Sequence, residues 1–242
     1  MDDMTILPAD GGEMQVPVPA AGAAGGRRAA LTLLAGPMPV LDLGTTLAGR
    51  VVLEGETVLY VDGANAFDPY ILSRLAREAG QPPRAVMRRL RLSRAFTCHQ
   101  LETLLTERLP EAIVRFRPGL VVISGWSHLF HDENVPHREA LRLLQASAHR
   151  MRALASAGQP ILATHPEEPT TPRLRPLEEI LIGAADIALR LRREGGRLLA
   201  IREKPEWPGG PRPGALVEER DMLWIAGYRH QALPAAHPWS GR

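Results

Sequence analysis

Lysine is almost missing from this chain of 242 residues: Lys204 is the only one, so nearly all of the 29 basic residues are arginines. Any chemistry that needs a lysine earlier in the chain is excluded. Cysteine is equally scarce. Cys98 stands alone and cannot form an internal disulfide, which agrees with a reducing compartment. Aromatic residues make up only 5% of the chain, so the core must rest on Leu, Val, Ile and Ala. No apolar run approaches the ~20 residues of a membrane-spanning helix. The start, "MDDMTILPADGG", is acidic and lacks a signal-peptide core. A cytoplasmic protein without membrane contact is expected. Charge of one sign is not in excess either. The formal net charge is +2, which by itself does not argue for nucleic acid.

What is present is an alternation of apolar runs and amphipathic stretches. Residues 1–30 are a Pro-, Ala- and Gly-rich lead-in without periodicity. Buried strands are expected at 31–35, 57–62, 119–124 and 159–165, with a further strand in "LRLSRAF". Helices are expected at 42–53, 69–79, in "PPRAVMRR" and "HQLETLLTERL", and at 137–157. The last should bury a stripe of Leu141, Leu144, Ala148, Met151 and Leu154. From residue 184 onward, alternating segments split by Gly and Pro suit antiparallel strands at the sheet's edge. The reading is one α/β core over 31–230 with a largely parallel sheet, followed by a tail at 231–242.

Several words in this order resemble the core of the RecA/RadA recombinases. "VLYVDGANAFDPYILSRLAREAG" is similar to their second strand and following helix, and "LRLSRAFTCHQLETLL" to the next strand and helix start. "GLVVISGWSHLF" resembles the strand that carries the family's metal-associated aspartate. "PILATHPEEP" resembles the strand ending in a polar sensor, and "IGAADIALRLRR" the strand after the second DNA loop. The resemblance implies a RecA-like three-layer sandwich. It also implies an ATP site, and there the chain departs from the family.

The family's phosphate loop reads G-x-x-x-x-G-K-[ST]: backbone amides cradle the phosphates, the lysine neutralises them, and the hydroxyl holds magnesium. From Gly36 this chain reads Gly36-Pro37-Met38-Pro39-Val40-Leu41-Asp42-Leu43. The two prolines have no N–H to give. Leu41 stands for a glycine, Asp42 for the lysine and Leu43 for the hydroxyl residue. Exchanging attraction for repulsion at ~4 Å and an effective dielectric near 20 would weaken binding by about 8 kcal/mol. Ala64 aligns with the catalytic glutamate, Ser124 with the metal aspartate and His165 with the sensor. Grip, metal anchor and base are separate requirements of phosphoryl transfer. The resemblance therefore implies a non-hydrolysing paralogue without a cofactor or metal. It would be an accessory or scaffold protein in DNA repair or recombination, docking onto a recombinase or repair assembly.

Other residues suggest other chemistries. "VDGAN" also resembles the opening of PIN/NYN-type nucleases, where Asp62 would start a metal cluster completed by Asp132, Glu133 or Asp186. Against this, a whole strand–helix unit precedes the motif. Arg84, Arg88, Arg89, Arg91 and Arg94 lie together without an acid; they suit a phosphate-backbone patch or an ordinary solvated face. Arg173 and Arg175, in a proline-rich loop at 166–177, are candidates for contacting single-stranded DNA or a protein, offset by Glu167 and Glu168. The other loop matching a recombinase DNA loop, 131–138, is short and acidic. His128, His131, His137 and His165 lack tight metal-ligand spacing. Cys98 beside His99 reads as a small packed residue, and Trp207 as a protein-contact anchor.

Overall fold

The apolar runs become strands buried on both faces. The computed structural model describes residues 30–167, 173–194 and 197–202. Strands β1 (Leu31–Gly36), β2 (Val58–Asp62), β4 (Leu120–Ser124) and β5 (Ile161–Pro166) are buried throughout. That is why each reads as a continuous apolar word and not as an alternation. β3 (Leu90–Arg94) is mostly exposed, β6 spans Ile187–Glu194 and β7 spans Arg197–Arg202. The seven form one sheet in the order β3-β2-β4-β5-β1-β6-β7.

Six of these strands run parallel, including β6 beside β1. The expected antiparallel C-terminal edge therefore does not hold for β6: the helix α7 (Arg175–Ala184) carries the chain back before it. β7 pairs antiparallel with β6, and the segments after Arg202, Trp207 among them, lie outside the described residues.

Helices cover both faces, so the fold is an α/β three-layer arrangement. One layer holds α1 (Val40–Leu53), α2 (Pro69–Glu78) and α3 (Pro83–Met87), packed on Leu34, Tyr60, Val122 and Leu162. The other holds α4 (Cys98–Thr103), a π-helical turn (Leu104–Arg108), α5 (Leu109–Phe116), α6 (His137–Ser156) and α7. Along α6 the stripe is broader than expected: Ala140, Leu143, Leu144, Ser147, Ala148, Met151, Leu154 and Ala155 are buried, whereas Leu141 is half-buried.

Small residues let α1 lie close to its neighbours. A Cβ on Gly44 would sit 2.9 Å from Thr164 Cγ2 of β5, and one on Gly49 would sit 2.5 Å from Leu75 Cδ1 of α2. At Gly44 the missing side chain is thus a packing requirement, whereas at Gly49 the end of Leu75 could shift to admit one. Gly36 is like Gly44, since its Cβ would lie 3.0 Å from that of Leu191 on β6.

Candidate functional site

In an open parallel sheet, ligands bind beyond the carboxyl ends of the strands, where neighbouring connections leave for opposite faces. β1 and β5 are such neighbours. β1 leads into α1 on one face, and β5 leads towards α7 on the other. A phosphate would therefore meet the segment from Gly36 to Leu43.

That segment is already used by the protein. Pro37, Met38 and Pro39 are exposed, and the helix begins at Val40, two residues earlier than expected. Pro39 occupies the N-cap with φ −57°, a value proline fixes in advance. The amides of Val40, Leu41 and Leu43 donate to the carbonyls of Pro37, Met38 and Pro39 at 2.8, 3.1 and 3.0 Å. Val40 and Leu41 are core residues under the sheet's helical layer. The β1–β5 ladder runs up to this point: the Glu167 amide donates to the Gly36 carbonyl at 2.6 Å.

The charge at this mouth is not free to meet an anion. Arg190, paired in register with Ala35 on β1, donates to the carboxylates of Glu167 and, at 2.6 Å, Glu178. Asp42 itself is exposed. Water then screens it, so a charge pair there is worth about 1 kcal/mol instead of ~4 kcal/mol. The expected penalty from Asp42 falls from about 8 to roughly 2 kcal/mol. The missing amides and the neutralised Arg190 thus matter more than the reversed sign.

Asp62 closes β2 and is fully buried. Its Oδ1 accepts from the Ala66 amide at 3.1 Å; its Oδ2 accepts from the Phe67 amide at 3.1 Å and from Arg94 Nε at 3.1 Å. Arg94 also pairs through Nη2 at 3.1 Å. This carboxylate organises the turn into α2. The acids suggested as its metal partners are elsewhere. Asp186 stands before β6, at the amino ends of the parallel strands, where its Oδ2 accepts from the Leu31 amide at 2.9 Å. Asp132 accepts from Asn134 in an exposed turn, and Glu133 is exposed. Among the described residues no three His, Cys, Asp or Glu side chains gather as a metal site.

Ala64 and Ser124 meet at the same end of the sheet. The Gly63 amide donates to the Ser124 carbonyl at 2.8 Å. Gly125 has φ +66°, and a Cβ there would lie 2.4 Å from that of Ala64. The β2 and β4 exits are therefore packed together. Ser124 Oγ is buried beside the Tyr60 hydroxyl without a hydrogen bond of good geometry. Tyr60 Oη instead bonds Thr45 Oγ1 at 2.8 Å.

Burial pushes the Tyr60 phenol up to about 12; Asp62 and Asp42 add to the rise, while hydroxyls of Ser124 and Thr45 oppose it. The folded state therefore holds this proton longer than the unfolded chain does. Its contribution is fully present below pH ~10 and is lost as pH climbs towards 12, about 3 kcal/mol in all. Denaturant unfolding between pH 9 and 12 should show this fall in the native chain. In Tyr60→Phe the fall should be shallower by that amount, and identical slopes would contradict the assignment.

The remaining candidates divide clearly. His165 is buried and its Nδ1 lies 2.6 Å from Ser127 Oγ, itself fully buried. Arg173 is occupied, donating to the carbonyls of Asp132 and Val135 at 2.8 and 2.7 Å. Arg175 opens α7 and pairs with Glu179 at 3.0 Å, so neither arginine sits on a bare loop. His128 and His131 meet edge-on with ring centres 6.2 Å apart, and His137 opens α6. Cys98 is buried, which raises its thiol pKa and leaves no activated thiolate. Arg84 on α3 and Arg88, which caps its C-terminus, are exposed, and Arg89 is half-buried.

A feature that sequence reasoning missed lies at the far edge. A groove of about 400 Å³ runs between β3 and the π turn with α5, above Leu59 and Val61 of β2. Arg91, Arg108 and Arg115 line it, and the guanidinium groups of Arg91 and Arg115 each lie over the Phe116 ring, 5.1 Å from its centre. The signal was present as "RFR" at 115–117, but only the fold brings it to Arg91.

Compared with known proteins, the chain matches no family model and no curated protein.

Proposed function

We propose that the chain is a non-hydrolysing relative of the RecA/RadA recombinases. It would serve as an accessory or scaffold protein in DNA repair or recombination in the cytoplasm. The observation that carries this reading is the mouth of β1. The amides of Val40, Leu41 and Leu43 close the first turn of α1, and Arg190 beside it is held by Glu167 and Glu178. Supporting it, the words that resemble the family fall on β2, β3, β4, β5 and β6 in the order the resemblance implies.

A protein of this kind acts by holding a partner, and its open surfaces matter more than its crevice. Arg173, held by the carbonyls of Asp132 and Val135, argues against the alternative of a single-stranded DNA module built on that loop; the exposed Arg175–Glu179 pair does not bear on it. The test is genetic. Deleting the chain from its host should lower survival after ultraviolet light or a cross-linking agent, and the native chain should restore it. Unchanged survival of the deletion strain would contradict the repair role.

A further inference from the structure

β3 is the outermost strand, so one side of its backbone has no strand neighbour among the described residues. Such an edge is a template for another strand. Alongside it lies the groove described above, with an apolar base at Leu59 and Val61 and small Ser93 on its β3 wall. The charge around it is positive and largely unanswered. Among the described residues Arg91 and Arg115 have no carboxylate partner, and Arg108 meets only Glu111, at 3.9 Å. Stacking on Phe116 holds two of these guanidinium groups in place, which lowers the entropy lost when they meet an anion.

Resting on the reading that this chain works by docking a partner, we infer that the groove takes an acidic, extended segment of a partner protein, added as a strand to β3. Backbone groups of the segment pair with the open edge. An apolar side chain of the segment lies over Ser93 at the mouth of the groove, and carboxylates two residues to either side of it meet Arg91, Arg108 and Arg115. A nucleic acid strand suits the site less well. It has positive charge to meet, but it has neither the alternating N–H and C=O groups an edge strand pairs with nor an aliphatic side chain for the mouth of the groove.

The probe is a fluorescent peptide with Glu, Leu and Glu at alternate positions and Thr between them, so that all three point to the groove face of the added strand; the same peptide with Lys for Glu and an oligo(dT) strand are the comparisons, read by polarisation on the full chain. The acidic peptide should bind, more weakly as salt rises. The lysine peptide should not. Arg91→Glu with Arg115→Glu should weaken the acidic peptide about tenfold or more. Arg91→Lys with Arg115→Lys should keep most of the binding, and unfolding curves should show both variants folded. Binding of oligo(dT) in preference to the acidic peptide, or of neither, overturns the inference. So does acidic binding that the Glu variant leaves intact. The repair reading fails separately: it falls with an insensitive deletion strain, whatever the peptide does. If the Glu variant fully restores survival to a sensitive strain, the repair role stands and the docking of its partner at this groove is wrong.

Discussion

Replacing Asp62 with alanine is expected to remove about 3 kcal/mol of stability, among the larger effects of a single substitution. The carboxylate is fully buried and accepts from two backbone amides as well as from Arg94. Removing one member of a buried pair costs about 3–5 kcal/mol, because the other is left without its partner. Arg94 is 34% exposed and can turn to water, which places the value at the lower end. The amides of Ala66 and Phe67 cannot escape so easily. Asp62→Asn should be milder, since an amide oxygen still accepts one of these bonds but its NH₂ faces a cation. Equilibrium unfolding in urea measures both. A loss under about 1 kcal/mol for the alanine variant would mean the carboxylate is not holding the turn.

The second large effect is an absence. A micromolar nucleotide complex corresponds to about 8 kcal/mol, and a millimolar one to about 4 kcal/mol. At the end of β1 two of the candidate donors are prolines, three amides close helical turns, and Arg190 is shared between two carboxylates. Opening that first turn to free its amides would cost α1 its start and expose Val40 and Leu41. Binding is therefore expected to be weaker than about 1 mM, a loss of at least ~4 kcal/mol relative to a micromolar site.

Much of the fold was legible because the central parallel strands are buried on both faces and so leave unbroken apolar words. Asp68 caps α2 by accepting from the Tyr70 amide, and Pro69 stands in its first turn. Three elements were not legible, each through proline. α1 begins earlier because Pro39 starts a helix as readily as it ends one. α5 continues past Pro110 because the π turn before it accommodates the missing donor. α7 went unread: its first three residues lay in the stretch read as a loop and 178–183 were assigned to no element, although Pro176 lies in its first turn, where proline is tolerated. Missing α7 also concealed the direction of β6. At the candidate site, the prolines and Asp42 could be read directly. The pairing of Arg190 with Glu167 and Glu178 could not, since it joins β5, α7 and β6. Nor could the edge groove, whose arginines come together only once β3 is known to be outermost.

The most direct measurement is a calorimetric titration of the purified chain with ATP and magnesium. The account predicts no saturable heat up to millimolar nucleotide. A one-to-one complex at micromolar affinity, weakened when magnesium is withdrawn, would contradict it.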